Sequence, residues 1–229
     1  MFFRFFSFLF FFFLITELSA QKYDKKKLTM GPFLGIKVYS GLEVKLISST
    51  INKAIIYGEN SDGVVVSLHK DILKIKLSAS NALNPGATYI DLYHSMPLNK
   101  IKAHQGSKLS AEETINQTSL ELVATTGATI RIKAITERTN VIVNTGGITY
   151  LKGETKFFDL KGNTGGICEA ENFKAFQVNT KMIAGGYAYV RSSNLLDAKV
   201  TVGGILRVFG NPKTQITQER LGGKIYIEK

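Results

Sequence analysis

Asn144-Thr145-Gly146-Gly147-Ile148-Thr149-Tyr150-Leu151 is followed by a near copy of itself, Asn163-Thr164-Gly165-Gly166-Ile167-Cys168-Glu169-Ala170. The small-residue pair at the centre of this stretch recurs at Gly127-Ala128, Gly185-Gly186, Gly203-Gly204 and Gly222-Gly223. Successive pairs stand 19, 19, 20, 18 and 19 residues apart, and Gly106-Ser107 lies 21 residues before the first. A near-constant period of this length, flanked by strand-forming residues, marks a solenoid in which each coil is buried only by its neighbours. The chain reads as all-β, a single-domain parallel β-helix with coils of about 19 residues.

Aligning the coils on the glycines separates two facings. The second residue after each pair reads Ile130, Thr149, Cys168, Ala188, Leu206 and Ile225, and the fourth reads Ile132, Leu151, Ala170, Val190, Val208 and Ile227. These apolar or small columns are expected to point inward, because successive strand residues face opposite sides. Before the glycines, Leu120/Leu122, Val141/Val143, Phe158/Leu160, Phe176/Val178 and Leu196/Ala198/Val200 form a second inward wall. The glycines themselves are expected at corners. The longer coil places its extra residue at Lys181-Met182, ahead of Ile183-Ala184.

Upstream, period-2 alternation runs through Phe33–Val38, Leu42–Leu46, Val64–Leu68 and Leu73–Leu77, with turns at Gly41, Gly58 and Gly63. Residues 32–95 are therefore read as strands that lead into or pack on the regular coils of 96–229. Residues 1–20 have a basic start at Arg4, an apolar run and a Leu18-Ser19-Ala20 end, the layout of a secretory signal peptide cut after Ala20. Residues 21–31 form a basic leader, expected to be flexible. No later run is long and apolar enough for a membrane helix. The expected product is exported to the periplasm, cell surface or exterior, with no transmembrane segment in the mature chain.

The 229 residues carry 29 Lys+Arg against 18 Asp+Glu, a net +11, and 44% hydrophobic content argues against wholesale disorder. One cysteine, Cys168, excludes an intramolecular disulfide, and its inward column makes it an inert core thiol. His69, His94 and His104 have no partner at ligand spacing, so neither a metal nor another cofactor is expected. Nucleic-acid motifs are absent, and an exported cationic protein is better suited to glycan or an anionic envelope surface.

The residues also resemble a bacterial family common in Bacteroidetes, the auto-transporter adhesins with a head GIN domain. The likeness rests on Ile36-Lys37-Val38 with Gly41-Leu42-Glu43-Val44-Lys45-Leu46, the Pro97-Leu98 to Ile101 segment leading to Gly106-Ser107, the repeated Thr-Gly-Gly corners, and Phe209-Gly210-Asn211-Pro212 before Leu221-Gly222-Gly223. The resemblance implies an exported, right-handed parallel β-helix, and no catalytic residue is carried over from it.

Two outward sets could carry chemistry. Tyr150, Tyr189 and Tyr226, interleaved with Arg131 and Arg207, would offer flat rings and planar donors for sugar rings and acidic groups. In the other reading, these residues merely pair along the ladder. Glu169 and Glu171, two residues apart on one outward face, would lie about 7 Å apart, within the range of an inverting carboxylate pair. The same acids, ringed by Tyr150, Lys152, Tyr189 and Arg191, also read as an ion-pair network. The function expected is a non-catalytic, adhesin-like binding module. The alternative is a polysaccharide lyase or glycoside hydrolase, and the third reading is a structural or assembly protein of the envelope. The last coil ends near Lys229, leaving a sheet edge through which a homo-oligomer could form.

Overall fold

The computed structural model describes residues 25–83 and 86–228, so the expected signal peptide lies outside the described residues. Its strands join in one 17-stranded sheet wound on itself. The N-terminal part contains β1 (Lys26–Thr29), β2 (Gly35–Val38), β3 (Glu43–Ser48), β4 (Lys53–Gly58), β5 (Val64–His69), β6 (Ile72–Leu77), β7 (Thr88–His94), β8 (Lys100–Ala103) and β9 (Lys108–Ala111). The coils follow as β10 (Ile115–Thr125), β11 (Thr129–Asn144), β12 (Ile148–Asn163), β13 (Ile167–Ile183) and β14 (Tyr187–Thr201), ending in β15 (Ile205–Phe209), β16 (Thr214–Arg220) and β17 (Lys224–Ile227).

The long strands β11 to β14 each bend round one side of the helix and along the next. Residues 140–144 stack in parallel on 159–163, then 179–183 and 197–201, while 129–131 stack on 148–150, 167–169 and 187–189. Between those sheets the chain turns through the glycine corners. Thr145 and Gly146 both hold positive φ, at 48° and 69°, and the same pairing of a left-handed residue with a left-handed glycine recurs at Thr126-Gly127, Thr164-Gly165 and Val202-Gly203. Two consecutive positive φ values are the geometry of a tight primed turn. The second glycine does different work, since a Cβ on Gly147 would lie 2.0 Å from the Ala124 carbonyl oxygen. The backbones close tightly on Gly147, whereas Ala128 and Ser107 fit a buried side chain at the same place in earlier coils.

The inward columns are buried as expected. Ile130, Ile132, Thr149, Leu151, Cys168, Ala170, Ala188, Val190, Leu206 and Val208 are all at most 3% exposed. In the last coil, Ile227 is 40% exposed because nothing among the described residues stacks beyond it. The second wall departs at one place: Phe176 is exposed, and Phe173 is buried instead, edge-on to Phe158 with ring centroids 5.4 Å apart. The burial of Phe173 follows from the position of the extra residue. Tyr150 pairs with Glu169, but Lys152 pairs with Asn172, so the insertion is a β-bulge around Ala170–Asn172 and not at Lys181-Met182. That one-residue slip turns Phe173 inward, while Phe176 falls at the corner position that Glu137 and Lys156 occupy, exposed, in the two coils before it.

The N-terminal segment is more closely integrated than strands packed on coils. Strand β2 lies between β6 and β8, and β3 lies between β7 and β9, all in parallel. Residues 35–48 therefore fill a rung between 72–94 and 100–111, out of chain order. Beyond β6 and β7 the sheets end in antiparallel strands: β5 on β6, β4 on β7, and β1 on β4. Lys26–Thr29, assigned by sequence to a flexible leader, belong to this cap.

Candidate functional site

The Tyr/Arg column exists as a ladder. Register places Arg131 beside Tyr150, Tyr150 beside Glu169, Glu169 beside Tyr189, Tyr189 beside Arg207, and Arg207 beside Tyr226. At about 4.8 Å per rung this is a continuous outward stripe. Its cations are engaged within the stripe. The Arg131 guanidinium lies 4.5 Å from the Tyr150 ring centroid, Arg207 lies 5.1 Å from that of Tyr226, and Arg207 Nη1 donates to Glu228 Oε1 at 2.5 Å. These contacts hold the side chains in place and cover one face of two rings.

Arg131 and Tyr150 do enter a cleft of about 490 Å³, together with Lys133, Lys152, Glu169, Glu171 and Asn172. Glu169 and Glu171 share this cleft, on either side of the buried Ala170, where the register shifts at the bulge. Glu171 Oε1 accepts from Asn172 Nδ2 at 3.2 Å, and the Glu171 carbonyl accepts from Arg191 Nε at 2.7 Å. Tyr189, Arg207 and Tyr226 lie farther along the stripe and do not line this cleft.

A larger cleft of about 830 Å³ opens beside it on the third side of the helix, sharing Asn172. Its origin is a mismatch of coil lengths. After Ala170 pairs with Val190, the next match is Lys174 with Arg191, so three residues of β13 stand opposite none of β14. The shorter coil withdraws and leaves a hollow under the bulge. Thr136, Thr155, Ala175 and Ser192 line its small-residue floor, Ile135 and Phe176 supply apolar wall, and Lys156, Lys174 and Arg191 bring charge. Thr136 Oγ1 and Thr155 Oγ1 are 2.8 Å apart, and Ser192 Oγ donates to the Leu195 carbonyl at 2.9 Å, so the floor is already hydrogen-bonded and rigid. Sequence reading missed Lys156, Lys174 and Phe176. The signal was a 20-residue interval followed by one of 18, which forces a step between two coils.

Among the described residues, no three His, Cys, Asp or Glu side chains gather as metal ligands. Cys168 is fully buried, and burial pushes its thiol far above the ordinary range, so it holds no reactive thiolate. His104 stacks on Tyr39 at 4.7 Å and pairs through Nδ1 with Thr125 Oγ1 at 2.7 Å.

The same winding occurs in solved structures. A protein from Bacteroides fragilis described as a "putative adhesin" superimposes with a TM-score of 0.82 at 18% identity, covering 91% of this chain and 98% of its own. A "putative lipid binding protein" from Parabacteroides distasonis gives 0.69 at 12% identity, with coverage of 92% and 98%. A "putative adhesin" from the same species gives 0.67 at 17%, with coverage of 87% and 97%. No curated protein matches the sequence. The family described as "Putative auto-transporter adhesin, head GIN domain" matches residues 32–212, from the start of the interleaved rung to the loop at the rim of the large cleft, and the chain belongs to that family.

Proposed function

We propose that the chain is an exported, non-catalytic binding module of adhesin type whose ligand is glycan or other anionic envelope material. The observation that carries this reading is the pair of adjoining clefts, about 830 and 490 Å³, with a rigid hydroxyl-lined floor, exposed Phe176 and Ile135, and Lys133, Lys152, Lys156 and Lys174 around them. Apolar wall for the CH faces of sugars or an acyl chain, with cations and amides at the rim, is how such pockets hold amphiphilic and acidic ligands.

The test is a glycan-array and polysaccharide panel on residues 21–229, scored in parallel for retention and reducing-end release. Retention is expected without release, and Phe176→Ala with Lys174→Ala is expected to weaken it at least tenfold while leaving the melting temperature within a few degrees. Substituting Tyr150 and Tyr189 is expected to weaken it less, because the Tyr150 ring is already covered by Arg131. Release that Glu169→Gln abolishes would overturn the reading in favour of an enzyme.

A further inference from the structure

The sheet that precedes the glycine corners carries a second ordered array. In register, its outward column runs Lys74, Lys37, Lys102, Val123, Ile142, Lys161, Lys181, Lys199. Two runs of three lysines stack directly on one another, at about 4.8 Å per rung, and like charges directly opposite on neighbouring strands are destabilising. The first run is partly relieved: Lys102 Nζ lies 2.6 Å from Glu121 and Lys74 Nζ lies 5.2 Å from the Tyr39 ring centroid. Lys161, Lys181 and Lys199 have no carboxylate within 4 Å among the described residues.

The column beside the lysines is different in kind. It reads Lys100, Glu121, Asn140, Asp159, Asn179, Asp197 in register. Where Val123 and Ile142 interrupt the lysines, the surface sinks into a hollow of about 450 Å³ lined by Glu121, Asn140, Ile142, Asp159, Lys161 and Asn179. The pieces are a small apolar floor, a row of amides and carboxylates, and a row of unpaired ammonium groups, all on one rigid sheet apart from the clefts above.

We propose that this face binds a linear acidic polysaccharide laid along the helix axis. Successive sugars of an extended chain advance by nearly one rung, so uronate carboxylates would meet Lys161, Lys181 and Lys199 in turn. The hydroxyls would bond to Asn140, Asp159 and Asn179, and a CH face would rest on Ile142. Glu121 is paired with Lys102 and Lys100, and Asp159 with Arg138, so these carboxylates are balanced locally and offer acceptors to sugar hydroxyls beside the lysine row. A nucleic-acid strand repeats its charge at about 3.4 Å, out of step with the rungs.

The experiment measures binding of residues 21–229 to polygalacturonate, neutral dextran, phosphatidylglycerol vesicles and duplex DNA at matched charge and salt. Polygalacturonate is expected to bind best, with weakening as salt rises. The triple variant Lys161→Gln/Lys181→Gln/Lys199→Gln is expected to lose at least tenfold in affinity while its melting temperature holds or rises. The single variant Lys181→Gln should show a smaller loss. Asn140→Ala with Asn179→Ala, which changes no charge, is expected to lower affinity without altering the salt dependence. Polygalacturonate binding unchanged by these variants, or vesicles or DNA retained as tightly as polygalacturonate, would overturn the proposal. Phe176→Ala with Lys174→Ala should leave polygalacturonate binding intact, so failure here and failure of the cleft reading are told apart.

Discussion

Gly146 and Gly147 are neighbours with separate reasons to be glycine. A Cβ on Gly146 would meet nothing within 4 Å, so only its φ of 69° matters, whereas one on Gly147 would strike backbone at 2.0 Å. Gly146→Ala is expected to cost about 1–2 kcal/mol, the strain of a left-handed residue. Gly147→Ala is expected to cost about 3 kcal/mol or more, because two stacked backbones must part. Denaturant unfolding of the two variants checks the order, and equal losses would show that the clash is relieved by movement of the corner. Thr145 and Thr164 occupy the left-handed region without a glycine's freedom, a strain that the paired corner carbonyls and amides of adjacent coils hold in place.

At the scale of elements, the last coil departs from the pattern of those before it. Register sets Gln215, Thr217 and Glu219 where the preceding coil has the buried Leu196, Ala198 and Val200. Glu219 Oε1 accepts from the Ile225 amide at 2.6 Å, occupying a donor on the free edge of β17. Polar side chains at inward positions and a carboxylate on the edge are the means by which a solenoid ends without recruiting another strand. Glu219→Val is expected to lower stability by about 1 kcal/mol and to promote concentration-dependent association, read by light scattering. A variant that stays as monomeric as the parent would show that the edge is blunted elsewhere. The corners and inward columns were legible in the sequence because each corner needs its glycine and so fixes the frame of a coil. The placement of the extra residue was not, since between two fixed corners an insertion can enter at any point, and Phe173 and Phe176 are equally apolar. The lysine column was half legible: Lys102, Lys161, Lys181 and Lys199 each stand four residues before a corner glycine. Lys37 likewise stands four residues before Gly41, but it and Lys74 enter the column only through the out-of-order stacking of β2 and β6.

For the whole molecule, the positive charge acts on stability through its titrating neighbours. Burial alone would raise the Glu121 carboxyl, but Lys102 and Lys100 outweigh it and hold the group below its ordinary 4.5. Burial, then Lys102 and Lys37, hold His104 below 6.5. Both groups bind protons more weakly when folded, so each adds stability at higher pH. The histidine contribution fades as pH falls below 6.5 through its folded value, and the carboxyl contribution fades below 4.5. Thermal unfolding between pH 8 and pH 3 should therefore show Lys102→Met with a shallower acid decline than the parent in both windows; parallel curves would exclude Lys102 as the common cause.

The rung of residues 35–48 also governs the time course of folding. As the chain lengthens from its N-terminus, β2 and β3 have nothing to lie between until residues up to 111 are present. Their pairing closes long loops before any contact rewards the closure, which slows nucleation. Once formed, the same rung ties the antiparallel cap to the repeating coils, so the two cannot unravel as separate units. A solenoid, usually free to fray from either end one repeat at a time, is here clasped at one end and must shed its order from the other.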